Sequence, residues 1–277
     1  VFRDSVMYFA PYFNPNNSNQ FVFIEQKNND LNKWLCLYDI TTQEKIYLCD
    51  EVDFNPRWTI NNWIVFNRGG EIWKIKTTGD SLTQLFTGYN KYNLQVNPRG
   101  DRIIFRESND YYTTYLADIN GIFLDSVSDQ YFGEGSWSRD GLKITCKLAT
   151  GGEYYTGGSF GYYDTTLTIF TDVYLSTSEE TKDRILDTEW LPDSKKVLWL
   201  EDTEYHIIDI ETKETSLFLR ECGTNIKLWP NYSNDGNKII WERNYKESKN
   251  NGYDLFWQTQ IVITDSNGDN EIRILPN

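Results

Sequence analysis

A phrase recurs about every 42 residues and limits what this chain can fold into. It is clearest as Ser136-Trp137-Ser138-Arg139-Asp140-Gly141, followed by the apolar run Leu142 to Leu148. Five further copies align: Tyr12-Phe13-Asn14-Pro15, Asp53-Phe54-Asn55-Pro56, Gln95-Val96-Asn97-Pro98, Glu189-Trp190-Leu191-Pro192 and Asn231-Tyr232-Ser233-Asn234. Their fourth positions (Pro15, Pro56, Pro98, Arg139, Pro192, Asn234) stand 41, 42, 41, 53 and 42 residues apart. A period of this length marks a repeat architecture, in which no unit buries a core alone and neighbours must stack.

Each Pro/Asp/Gly turn leads into a short apolar run, such as Phe21-Val22-Phe23-Ile24, Trp63-Ile64-Val65-Phe66 or Val197-Leu198-Trp199-Leu200. Runs this short, rich in β-branched and aromatic residues, read as strands buried on both faces. Polar turns such as Asp39 to Glu44 and Asp209 to Glu214 then open hairpins. With the anchor itself, each repeat holds four strands, the content of a propeller blade. The expected fold is all-β: one six-bladed β-propeller of four-stranded antiparallel blades spanning residues 1–277, with blades near 9–49, 50–88, 89–129, 130–186, 187–221 and 222–277. Residues 1–8 are expected to close the ring, with Phe2 to Met7 pairing against the last blade to remove an exposed sheet edge.

The phrase resembles the W-S-P-D-G-x-x-I repeats of the TolB-like six-bladed propellers. Trp137 to Gly141 comes nearest to it, with Arg139 where that family has Pro. The resemblance implies a non-catalytic interaction or scaffold propeller that docks proteins in the bacterial cell envelope, at a periplasmic or cell-surface location, with a lipid anchor supplied by a segment outside this sequence. WD-repeat propellers fit less well, because no Trp is followed by Asp and the only His is His206. A sialidase Asp-box fails because Gly236 follows Asp235 directly.

Charge removes one class of partner. With 27 Lys and Arg against 41 Asp and Glu, the net charge is −14 and would repel a nucleic-acid backbone. No apolar stretch approaches the ~20 residues of a spanning helix. The chain opens at Val1 without a basic, apolar leader and reads as a mature or trimmed form. No metal or cofactor is expected: Cys36, Cys49, Cys146 and Cys222 lack metal-binding spacing, and Asp265 to Glu271 reads as a hairpin turn rather than a calcium loop. Cys36 and Cys49 flank one hairpin and would face each other in one register, but a slip of one residue would part them. His206 sits within an apolar segment and reads as structural, so a catalytic triad has no base and the chain is expected not to be an enzyme.

Three connections between second and third strands look long and aromatic: Asn109 to Thr114, Gly151 to Asp164 and Tyr245 to Trp257. Loops of this kind can carry function, and tyrosine offers contact area at low entropy cost. On the binding reading, Tyr111, Tyr112, Tyr154, Tyr155, Phe160, Tyr162 and Tyr163 contact a protein partner, with Arg106 as polar anchor. The competing reading is loops folded over their own blades. Clustered aromatics also admit a carbohydrate-binding or polysaccharide-lyase-like propeller.

Overall fold

In the computed structural model the chain is all-β and forms six antiparallel sheets in chain order. The structure describes residues 6–27, 32–88, 90–128, 135–148, 159–174, 185–201, 203–221, 226–249 and 254–275. At 111–112, 147–148, 159, 185–187, 245–249 and 254–258 it describes the backbone alone. Blade one holds β1 (Val6–Asn14), β2 (Asn17–Lys27), β3 (Lys33–Asp39) and β4 (Glu44–Cys49), and blade two β5 (Arg57–Trp58), β6 (Trp63–Arg68), β7 (Glu71–Lys76) and β8 (Thr83–Phe86). Blade three holds β9 (Lys91–Val96), β10 (Arg102–Glu107), β11 (Asp110–Asp118) and β12 (Phe123–Val127). In blade four, β13 (Lys143–Leu148), β14 (Ser159–Asp164) and β15 (Phe170–Tyr174) are preceded by a single Trp137–Ile144 bridge in the inner position. Blade five runs β16 (Ile185–Trp190), β17 (Lys196–Glu201), β18 (Glu204–Asp209) and β19 (Thr215–Arg220), and blade six β20 (Ile226–Tyr232), β21 (Lys238–Lys249), β22 (Asp254–Asp265) and β23 (Ile272–Ile274).

The recurring phrase builds the turn from first to second strand. Ser138 Oγ donates to Asp140 Oδ1 at 2.6 Å and accepts the Lys143 N–H at 2.9 Å, while Asp140 Oδ1 accepts the Leu142 N–H at 2.9 Å. Gly141 closes the turn onto Ser138 O at 2.8 Å with φ +70°, a conformation that side chains resist. Ser233, Asp235 and Gly236 repeat this arrangement in blade six. The Ser233 hydroxyl helps hold the Asp235 carboxyl down at about 2. Because the folded value is depressed, this contribution is present above the ordinary carboxylate range and is lost as pH falls from about 4 towards 2. An Asp235→Asn variant should therefore show a shallower loss of stability over that window in denaturant titrations. The effect should be small, since Asp235 is exposed.

Because every blade is sandwiched between two others, the second strands are buried on both faces, as in β2, β6, β10 and β17. In β6, Ile64 and Phe66 pack towards blade one and Val65 towards blade three. Six buried clusters follow from this alternation, each shared by two adjacent blades. The sixth joins Phe13, Phe21 and Phe23 of blade one to Ile240, Ile261 and Ile263 of blade six, completing the ring.

The seam differs from the expected closing strand. Val6, Met7 and Tyr8 pair with Lys27, Gln26 and Glu25 of their own blade, whereas residues 1–5 lie outside those described. Blade six is filled by its own chain as far as β23. Between the first and last blades, side chains replace a shared sheet: Tyr8 N–H donates to Thr259 Oγ1 at 3.2 Å and Phe13 N–H to Asn231 Oδ1 at 2.9 Å. Cys36 and Cys49 also part, because Cys49 pairs with Leu35. Cys36 then faces the seam and Cys49 faces blade two, both as free thiols.

Candidate functional site in the central channel

The five described inner strands and the bridged segment at Trp137 surround a cavity of about 830 Å³. Five of the six anchor phrases give it their first residue: Tyr12, Gln95, Ser136, Glu189 and Asn231. The next residue in each is buried in a cluster between blades: Phe13, Val96, Trp137, Trp190 and Tyr232, all but Trp190 also reaching the cavity wall. Strand alternation thus turns one repeat position into core and its neighbour into channel wall.

Three inner strands bend at non-glycine residues in the left-handed region: Ala10 (φ 46°), Asn93 (φ 52°) and Trp229 (φ 50°). All three line the cavity beside a register shift in β1, β9 or β20. Such bulges re-aim side chains and store strain, and they concentrate at ligand sites. Trp229 remains 42% exposed, and Phe54 of blade two, also on the cavity wall, 54%.

Two cations and two carboxylates face the cavity. Arg57 Nε donates to Gln95 Oε1 at 3.0 Å, and its guanidinium lies 5.1 Å from the centre of the Tyr12 ring. Arg139 reaches from blade four to donate to the carbonyl of Tyr232 in blade six, spanning the end of the channel where the first-to-second-strand turns lie. Glu189 accepts from Asn231 Nδ2 at 3.4 Å. Its enclosure pushes the carboxyl up to about 7, although Arg139 and Arg57 pull it back. Glu242, 3% exposed, accepts the Ala10 N–H at 2.8 Å and is pushed up to about 8 by burial.

The aromatic segments chosen from sequence fare differently. The blade-three segment is strand rather than loop, since β10 and β11 join across Ser108 and Asn109. Tyr245 to Trp257 belongs to a hairpin in which β21 and β22 pair as far as Lys249 and Asp254. Phe160, Tyr162 and Tyr163 lie in β14: Phe160 is fully buried against Trp199, Tyr163 is 5% exposed, and Tyr162 packs edge-on to Trp190. The glycines that suggested a loop there serve packing at Gly161, where a Cβ would run into the Phe170 ring. Arg106 is 1% exposed, with its guanidinium over the Tyr92 ring, so it is no surface anchor. Tyr154 and Tyr155 lie outside the described residues, as do the side chains of Tyr111 and Tyr112. His206 stacks on Trp199 at 5.1 Å and does not line the channel.

Among the described residues no group of three His, Cys, Asp or Glu side chains could hold a metal ion, and no helix is long and apolar enough to cross a membrane. Asp265 to Asp269 is a hairpin turn closed by Gly268 N–H on Asp265 O at 2.9 Å.

No protein-family model and no curated sequence matches the chain. Solved structures do resemble it. A TolB of Agrobacterium tumefaciens aligns with TM-score 0.65 and 13% identity over 87% of this chain and 88% of that one. The propeller domain of the Trilobed protease from Pyrococcus furiosus, described as having an open velcro topology, gives 0.62 and 14% over 98% and 86%. An oligogalacturonate lyase in complex with manganese gives 0.61 and 11% over 97% and 78%. At these identities the likeness is one of fold: the chain is a six-bladed β-propeller with the fold of those structures.

Proposed function

We propose that this propeller is a non-catalytic protein-interaction module that admits a segment of its partner into the central channel. One observation carries the reading: the wall combines exposed Trp229 with amide side chains of Asn93, Gln95, Asn231 and Asn244 and with charges of both signs. Such a lining can pair the N–H and C=O groups of an inserted peptide while burying an apolar side chain. Trp229 and Asn93, at the bends of their strands, precede the anchor residues Asn231 and Gln95 and so lie nearer the rim that also carries the second-to-third-strand connections. Tyr111 and Tyr112, at the start of β11, and Tyr154 and Tyr155, between β13 and β14 in sequence, would flank the same partner. A cell-envelope location, periplasmic or cell-surface, rests on the TolB-like resemblance.

Trp229→Ala should weaken partner binding by about 2 kcal/mol, on the order of thirtyfold, as expected of a central aromatic anchor. Its thermal midpoint should stay near that of the parent, because the ring is outside the blade clusters. Replacing residues 151–157 by Gly-Ser should cost less binding. Unchanged binding by Trp229→Ala, with loss on the loop replacement, would move the site to the rim. The carbohydrate alternative draws on the lyase neighbours. Turnover of oligogalacturonate that vanishes in Glu189→Gln would overturn the non-catalytic reading.

A further inference from the structure

The end of the channel opposite Trp229 has a chemistry of its own. The chain carries 41 acidic residues against 27 basic ones, yet Arg57 and Arg139 both face the cavity. Both act on the same two groups, the Glu189 carboxyl and the Tyr12 hydroxyl. Two guanidiniums against one carboxylate leave this end cationic inside an anionic protein. Arg139 is also the departure from the repeat: the equivalent residues Pro15, Pro98 and Pro192 carry no charge, nor does Ile60, which holds this place in blade two because its turn starts at Thr59, four residues after the position expected from the phrase. Its side chain crosses to Tyr232 O and makes a floor where a proline would leave the passage clear.

We propose that this floor, Arg57 and Arg139 with Asn231 beside Glu189, binds a carboxylate of the peptide that enters past Trp229. The inference rests on the channel reading and adds the chemistry of the inserted segment. A guanidinium presents a planar set of donors that matches a carboxylate, and such charge-assisted bonds are strengthened where water is excluded. The peptide carboxylate can come from a chain end or from an Asp or Glu side chain. Arg139 is then the specificity-determining residue, because the phrase with Pro at this position would offer a single cation.

The test uses the full chain labelled with 15N and four probes: Ac-Ala-Ala-Ala-OH, Ac-Ala-Ala-Ala-NH2, Ac-Ala-Ala-Asp-NH2 and trigalacturonate. Titrations follow the arginine Nε–H and tryptophan indole signals. Acidic peptides should bind at least about tenfold more tightly than the neutral amide and shift the Arg57 and Arg139 signals. The two acidic peptides separate a chain end from a side chain. Arg139→Gln should abolish the preference while leaving the indole shifts caused by all three peptides. Arg139→Pro, which brings in the residue of blades one, three and five, should do the same and guards against a folding defect in the first variant. Equal binding of all three peptides overturns the carboxylate inference but leaves the channel reading intact. No shift from any peptide overturns both, and shifts from trigalacturonate alone replace them with a glycan site.

Discussion

Replacing Trp241 with alanine should lower stability by about 3–5 kcal/mol, the usual cost of emptying a fully buried aromatic site. Trp241 is 0% exposed at the boundary of blades five and six, edge-on to Tyr205 at 5.2 Å, and its Nε1 donates to Thr264 Oγ1 at 2.9 Å. The truncation removes ring packing and leaves the threonine oxygen without its donor. For a domain of this size each kcal/mol moves the thermal midpoint by roughly 2–4 °C, so calorimetry should record a fall on the order of 10 °C. Trp229→Ala is the internal control, since its ring faces the channel and its midpoint should barely move.

Glu242→Gln should produce the second large effect, visible only as a change with pH. The folded carboxyl sits at about 8 against an ordinary 4.5, so between those values the native state holds a proton that the unfolded chain releases. Stability therefore falls as pH rises through this window, by up to about 1.4 kcal/mol per unit for this one group. Glu189, raised to about 7, adds to the decline below that pH. Glutamine stays neutral and can still accept the Ala10 N–H, so the variant should match the parent near pH 4.5 and exceed it at pH 8.5. Chemical denaturation at the two values measures this directly. A parent whose stability is flat from pH 5 to 8, or a variant weaker at both values, would show that Glu242 is ionised and solvated at the seam.

The repeat made the fold legible because the same physics recurs six times. Ser138 and Asp140 fold their turn by local hydrogen bonds that do not depend on distant contacts, and the apolar runs must be covered on both faces. The seam was not legible in the same way. Whether Val6 to Tyr8 pairs with blade one or blade six depends on long-range competition between two edges, and the free cysteines depend on a one-residue shift in β4. The aromatic segment at Phe160 misled because its glycines looked like loop punctuation, whereas Gly161 makes room for the Phe170 ring. The channel was written into the anchor phrase itself. Tyr12, Gln95, Glu189 and Asn231 each stand one residue before a buried side chain, and strand alternation alone sends them to the axis. Arg139, noted only as a departure from the phrase, marked the channel floor.

Entry of a partner segment into the channel is tested most directly by site-specific photo-cross-linking. A photoreactive phenylalanine analogue is placed at Trp229 in one protein and at Phe123, an outer-strand residue 53% exposed, in another. Each is irradiated with the isolated partner, and the cross-linked peptides are mapped by mass spectrometry. One contiguous partner segment should attach at position 229, suppressed by excess of a synthetic copy of that segment, and nothing specific at position 123. Cross-links that favour position 123, or a set at 229 scattered over the partner and indifferent to the competing segment, would contradict it.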